Sequence, residues 1–355
     1  NTGTITNNKK FTISFWMKRS IISAAQETVF GSYPSGTSND YVYFPSGDQL
    51  GFFGSISGSQ SVYLLTTRVF RDINAWYHIV IAVDTTQGTA ADRVKIYVNG
   101  TQETAFDQSS YPAQNVEFRL AKASNVQEIG CINNGNHFDG LLSHFHFVDG
   151  TQYAASTFGS TDASTGEWKI NTAPSVTYGN NGFFILKDAG SVTDQSGNSN
   201  NFTVAAGTLT NTEDCPDNVF PVMNPLAPGN SSLTFTNGNL HNGDQSPNDW
   251  QAIPATMAAY TGKFYWEFKI EGVWGSTSDT THRHGIANMF ATLNNNPGNG
   301  DVAWTDDPFA IGWQNSSGIR YNGDSGITMT SEFGTYVAND ILMFAMDLTN
   351  KKLYF

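Results

Sequence analysis

Seven Asn-Gly dipeptides, beginning at Asn99, Asn134, Asn181, Asn237, Asn242, Asn299 and Asn322, punctuate a chain whose apolar residues come in short alternating runs. Asn and Gly accept positive φ, which tight hairpin turns require, so each dipeptide marks a place where one strand can turn into the next. The runs between them lie at 11–17, 41–44, 49–53, 76–83, 93–98, 141–148, 183–186, 264–270, 309–313 and 341–348. They are rich in Val, Ile, Phe, Tyr and Trp, and helical periodicity is scarce. Many short strands at such spacing predict an all-β fold of sandwiches or barrels.

Individual strands can be placed on this pattern. In 76–83, Trp76, His78, Val80 and Ala82 fall on one face and Tyr77, Ile79, Ile81 and Val83 on the other, because strand side chains alternate. Both faces are largely apolar, which predicts a central strand covered on both sides. In 93–98, Val94, Ile96 and Val98 share one face and Arg93, Lys95 and Tyr97 the other, as between a core and solvent. The expected core residues are Trp16, Trp76, Ile79, Ile81 and Ile96 in a first domain, with Trp266, Phe268, Ile311 and Phe344 in or near the core of a second.

A length of 355 residues suggests two domains or three. From 171 to 228 the strand runs thin out, and Pro174, Pro216, Pro221, Pro225 and Pro228 gather among polar loops. The expected layout is two β-sandwich domains, 1–170 and 229–355, joined by a connecting segment, 171–228. Both ends read as cut from a longer polypeptide, since "NTGTITNNKK" is turn-like and "KKLYF" falls inside an apolar alternation.

Charged residues make up 14% of the chain, against roughly 25% in an average soluble protein, and the net charge is −13. A nucleic-acid surface needs clustered Lys and Arg, so nucleic acid is not an expected partner, nor is an anionic membrane. No apolar run reaches the about 18 residues that cross a bilayer, so membrane insertion is not expected. Cys131 and Cys215 lack a CxxC neighbour and form no zinc or redox motif; they pair or remain thiols.

The stretches "FTISFWMKRS", "AWYHIVIAVDTT", "DRVKIYVNGTQ" and "FDGLLSHFHFVDGTQY" resemble, in order and spacing, the strands of laminin-G-like, concanavalin A-type jelly rolls. "GKFYWEFKIEG", "DPFAIGWQNSSGIRYNG" and "NDILMFAMDLTNKKLYF" resemble the opening strand, central hairpin and late strand pair of a SPRY sandwich, C-terminally incomplete here. Their order, with "FGSTDASTGEWKI", "DQSGNSNNFT" and "TTQGTAADRVKIYVNGTQETAF" between and within them, is similar to large virion proteins of tailed marine bacteriophages. The resemblance implies a non-enzymatic structural or appendage protein, such as a tail fibre or a capsid or tail decoration. Its sandwiches would assemble with other virion proteins and adhere to host-surface glycans. It implies a location on the virion, outside the cell, and a homo-oligomer, a trimer in a fibre. A secreted bacterial adhesin or carbohydrate-binding module is the alternative, and a glycan hydrolase a third reading.

Sandwiches of this type also house glycosidases, which need paired carboxylates about 5–10 Å apart. Glu267 and Glu271 are spaced for one strand face but reach past its end, and the adjacent Asp306 and Asp307 point apart, so no enzyme is expected. His144 and His146 share a strand face, as do His282 and His284 if extended, but zinc needs a third ligand, for which His137 is nearest. Asp194, Asn198 and Asn200, around Gly197, offer oxygens to calcium, a hard cation that wants six to eight of them. An Asx-rich turn bonding its own backbone is the competing reading. Tyr33, Tyr41, Tyr43 and Trp274 are candidates for stacking on sugar rings, against a packing role. Attachment is expected from the loops 32–40, 55–61 and 273–283 rather than from strand faces, which cores occupy.

Overall fold

The computed structural model describes residues 3–120, 122, 124–188, 190–226, 234–243, 253–272, 283–287, 311–314, 318–321, 327–330 and 336–355. They divide into two compact units, Asn1–Phe220 and Pro221–Phe355. Both are built from antiparallel strands, so the fold is all-β as the alternation predicts.

In unit 1 the strands are β1 (Lys10–Arg19), β2 (Glu27–Ser35), β3 (Ser38–Phe44), β4 (Gln49–Ile56), β5 (Ser59–Val69), β6 (Tyr77–Asp84) and β7 (Val94–Val98). There follow β8 (Thr101–Gln102), β9 (Phe106–Ser110), β10 (Gln127–Ile129), β11 (Gly140–Asp149), β12 (Gly159–Thr161), β13 (Trp168–Ile170) and β14 (Phe183–Ile185). They form two six-stranded sheets, ordered β14-β11-β1-β6-β7-β8 and β10-β2-β3-β4-β5-β9, and a small β12-β13 ribbon. The inward faces meet in one core: Phe11, Ile13, Phe15, Ile79, Ile81, Phe145 and Phe147 of the first sheet pack with Phe30, Val42, Phe44, Phe52, Val62 and Leu64 of the second.

The two strands singled out by sequence behave as their patterns demand. β6 is central and covered twice: Ile79, Ile81 and Val83 face the core, while Val80 packs outward in a second cluster with Val148, Ala155 and Phe158. β7 buries Val94, Ile96 and Val98 and leaves Lys95 and Tyr97 half-exposed. The Asn99-Gly100 turn has φ of 46° and 79° and folds β7 back into β8. A side chain at Gly100 would collide with Trp168 of β13, whose ring lies 2.3 Å from where its Cβ would stand. Trp16 and Trp76 are buried, but on the outer face of the first sheet and not between the sheets: Trp16 stacks on His78 with 5.0 Å between centroids.

The segment 171–220, expected as part of a connection, is used to complete unit 1. β14 adds to the edge of the first sheet, pairing Phe183 with Phe147 and Ile185 with Phe145, and both enter the core. Further on, Asp214 comes down on the outer face of the same sheet. Its Oδ2 lies 2.6 Å from Lys18 Nζ, and its Oδ1 accepts the Trp76 Nε1–H at 2.9 Å. A second buried ion network ties the sheets together: Arg19 of β1 binds Glu27 of β2 at 2.6 Å and Asp48 at 2.8 Å. Polar residues thus sit deep in unit 1, but in pairs, as burial of charge requires.

Unit 2 holds β15 (Phe235–Thr236), β16 (His241–Asn242), β17 (Lys263–Lys269), β18 (Arg283–Ile286), β19 (Ile311–Gln314), β20 (Gly318–Tyr321), β21 (Ile327–Thr330), β22 (Ile341–Asp347) and β23 (Lys352–Tyr354). They make a β15-β16 pair, a sheet β17-β22-β23 and a sheet β18-β19-β20-β21. Ile270, Tyr336, Leu342 and Phe344 form its core, with Trp266, Phe268 and Trp313 packed against it; Ile311 is half-buried outside that cluster.

Candidate functional site

Alternation along β3, β4 and β5 produces a face that points away from the core. Val42, Phe44, Leu50, Phe52, Val62 and Leu64 turn inward and are fully buried, so Tyr41, Tyr43, Phe53 and Tyr63 turn outward. Strand register then aligns three of them. Tyr41 is opposite Phe53, and Phe53 is opposite Tyr63, in one row across the sheet. The row continues through Gly31 to Glu128 at one edge and to Ser110 at the other. Ring centroids are 5.3 Å apart for Tyr41–Phe53 and 5.6 Å for Phe53–Tyr63, about the spacing of neighbouring strands.

Tyr43 lies one row over and covers Gly51, where a Cβ would come within 2.3 Å of its ring. That glycine lets the phenol lie flat and bring its Oη to 3.4 Å from Tyr63 Oη. Tyr41, Phe53 and Tyr63 are half-buried and Tyr43 is 7% exposed. Burial pushes the Tyr41 and Tyr43 phenols up, with Tyr63 adding to it, so both stay neutral and able to donate. Tyr33, on β2, stands near enough to Tyr41 to help raise its phenol, and its Oη approaches Gly36 in the turn after β2. Trp274 and most of the loop 273–283 lie outside the described residues. Sequence expected the strand faces to be committed to cores, but only one face of this sheet is, and the open face is a candidate binding surface beside the loops. Sequence reading also missed Phe53 and Tyr63, although the period-2 pattern of "QLGFFGSI" and "SQSVYLLTT" turns both outward.

The proposed calcium residues are occupied otherwise. Asp194 Oδ1 accepts the N–H groups of Phe184 and Ser196, both at 2.9 Å, and Oδ2 accepts Ser196 Oγ–H and Asn200 N–H. Asn198 and Asn200 turn their NH2 groups, not their oxygens, toward the carbonyls of Gly179, Asn180 and Gly182. These residues do not fit a hard cation; they staple the loop to the start of β14. Among the described residues no group of three or more His, Cys, Asp and Glu gathers around a metal-sized space. His146 donates or accepts at Nδ1 with Tyr178 Oη at 2.8 Å and stacks on Phe184, and His137 lies beside Thr28 of the other sheet.

One pair has the look of nucleophile and base: Ser14 Oγ lies 2.9 Å from His78 Nε2, both fully buried. Trp168 Nε1–H donates to His78 Nδ1 at 3.0 Å. An indole can only donate, so Nδ1 carries the lone pair and Nε2 the proton. Burial holds the imidazole neutral, its pKa lowered to about 3. His78 then donates to Ser14 and cannot deprotonate it, so the pair is a packing element. Glu267 is exposed on β17 and bonded by Tyr265 Oη–H, whereas Glu271 lies past the strand, 3.2 Å from His241. Asp306, Asp307 and His282 lie outside the described residues, and His284 packs on Phe268. Cys131 and Cys215 are free thiols, and among the described residues no helix is long and apolar enough to cross a membrane.

No curated protein matches the chain. Among solved structures, a native heptameric SAP-like pentraxin from Limulus polyphemus is 13% identical, with 52% of this chain and 86% of that one covered at a TM-score of 0.30. Domain 4 of an extracellular arabinanase from Geobacillus stearothermophilus, in complex with arabinotriose, is 15% identical over 41% and 63% of the two chains, at 0.30. The CBM40 of a Ruminococcus gnavus IT-sialidase, bound to α2,3 sialyllactose, is 12% identical over 38% and 70%, at 0.27. Likeness of this degree says nothing about what this chain binds. Residues 1–156 match the family described as the concanavalin A-like lectin/glucanases superfamily. With two antiparallel six-stranded sheets closed on one core, the N-terminal unit carries a domain of the concanavalin A-like lectin/glucanase superfamily.

Proposed function

We propose that unit 1 is a non-catalytic carbohydrate-binding module whose ligand lies across the row Tyr41–Phe53–Tyr63. The observation that carries this reading is an uncharged aromatic row on an outward sheet face, with polar residues only at its two ends, Glu128 and Ser110. Aromatic rings offer apolar area for the C–H faces of sugars, and the phenols offer hydrogen bonds to hydroxyls. Membership of the matched region in a superfamily of lectins and glucanases supports the same ligand class. A glycan array probed with the purified chain should give defined hits, and the Phe53→Ala and Tyr63→Ala double variant should lose them while keeping its circular dichroism. Full binding by a folded double variant refutes the assignment.

The finer reading is a structural or appendage protein of a tailed-phage virion, extracellular and displayed in several copies. The order of laminin-G-like and SPRY-like tracts supports it, as does the pairing of β19 with β20 and of β22 with β23 where the SPRY resemblance expects hairpins. Each module would bind weakly, and display in a trimer would raise avidity by roughly 10²–10⁴-fold without new contacts. A trimerised chain that ignores host envelope polysaccharide, where the array shows glycan hits, would refute attachment and leave assembly as the role. The same preparation is expected to turn over no glycan.

A further inference from the structure

We propose that Lys18, Asn74 and Asp214 form a self-acting isopeptide site that joins the Lys18 side chain to the Asn74 side chain through an amide bond. The inference stands on geometry alone and is independent of the carbohydrate reading. Lys18 leaves β1 on the outer face of the first sheet, yet its side chain is 2% exposed, and that of Asp214 is 0% exposed. Among the described residues the amine has three polar neighbours, Asp214 Oδ2 at 2.6 Å, Phe220 O at 3.4 Å and Asn74 Oδ1 at 3.5 Å, the last two residues half-buried. Asn74 is held in place by its own backbone N–H, which donates to Asp72 Oδ1 at 2.8 Å. Asp214 is held by Trp76 Nε1–H at 2.9 Å and by Phe220 N–H at 3.3 Å, both donating to Oδ1, which leaves Oδ2 for the amine.

A nucleophilic amine, a carboxamide beside it and a carboxyl on the same nitrogen are the three groups that amide exchange needs. The ammonium proton moves from Nζ to Asp214 Oδ2 along their hydrogen bond, which frees the lone pair of Nζ. Nζ attacks Cγ of Asn74, a new N–C bond forms, and the electron pair of the C=O moves onto Oδ1. Asp214 carries a proton from the attacking nitrogen to Nδ2, the C–Nδ2 bond breaks, and the carbonyl re-forms. The products are a secondary amide between residues 18 and 74 and one molecule of ammonia, and Asp214 keeps the proton it took from Nζ, so no unpaired charge is left buried. No oxidant, metal or external reagent enters. Holding the groups together supplies the effective concentration that makes a slow reaction run once per molecule. The bond would close a loop between residues 56 apart and fix the C-terminal end of β1 to the turn ahead of β6, a cross-link that resists unfolding in the way a disulfide does.

Denaturing intact-mass spectrometry of the full chain tests this directly. The expected mass is lower than that of the sequence by one ammonia, and proteolysis should release a branched peptide joining residues 18 and 74. A succinimide at an Asn-Gly turn also loses ammonia, but it opens again at alkaline pH, whereas an isopeptide persists. The Asn74→Ala variant should have its full sequence mass. A wild-type chain of full sequence mass after folding overturns the proposal. So does a deficit that alkaline incubation erases, or a loss of water, which would place the bond on Asp214.

Discussion

The two sheets of unit 1 share one core but have opposite outer faces. On the first sheet the chain returns: Phe158 and Trp168 cover Val80 and His78, and Asp214 closes over Lys18 and Trp76. On the second sheet Tyr41, Phe53 and Tyr63 stay half-exposed, with edge residues such as Ser110 open to solvent. The first sheet can bury Ser14, His78 and Lys18 on its outer face because later segments satisfy them. The second face carries no such groups in its central row, only rings that tolerate both water and contact. Stability is concentrated on the covered face, and recognition is assigned to the open one.

The largest expected effect lies on the covered side. Asp214→Ala removes both the partner of Trp76 and the group that would form the Lys18–Asn74 bond, so Lys18 stays a buried ammonium without its carboxylate, which typically costs about 3–5 kcal/mol. Urea unfolding should show that loss; a variant within about 1 kcal/mol of the wild type would mean that residues 212–220 do not hold this face. Next comes the support under the open face. Gly51→Val would drive a side chain into the Tyr43 ring, at a cost of about 1–3 kcal/mol and a loss of glycan affinity with it.

A pH effect distinguishes the inner side of the second sheet from its outer side. Asp40 points inward, accepts the backbone N–H groups of Arg119 and Leu120 on Oδ2, and has no partner for buried Oδ1 among the described residues. Burial pushes its carboxyl up to about 7, against the pull of those two N–H groups and of the Arg119 and Lys122 charges. Between the ordinary carboxylate range and pH 7 the native state therefore holds a proton that the unfolded chain has lost. This contribution to stability is full at low pH and is lost as pH rises through 7. Asp40→Asn should remove the dependence, so its unfolding free energy should gain on that of the wild type from pH 5 to pH 8, by an amount on the order of 1–3 kcal/mol. Parallel curves for the two proteins would contradict the assignment. The smallest effect is on binding: Tyr41→Ala should weaken a glycan by about 0.5–1.5 kcal/mol, roughly tenfold at most, with little change in melting temperature. A large loss of stability instead would make Tyr41 part of the core and blur the contrast between the faces.

Sequence alone determined the local geometry. Alternation in 76–83 marked a strand covered on both sides, Val94, Ile96 and Val98 marked an inward face, and Asn99-Gly100 marked a turn with positive φ. Each of these depends on residues a few positions apart, where period and turn chemistry suffice. What only tertiary structure decided is what covers each outward face. Asp214 meets Lys18 across a separation of 196 residues, and no local pattern in 171–220 announces that partner. Asp194, Asn198 and Asn200 offered calcium-like oxygens in sequence, yet Asp194 accepts a backbone N–H of β14 while Asn198 and Asn200 donate to the carbonyl of Gly182. Tyr41 was legible as an aromatic candidate, but its alignment with Phe53 and Tyr63, and the burial of Tyr43 beside them, needed the register of three strands, set by pairing over distance. Period fixes which way a side chain points; only the folded chain decides whether something waits there.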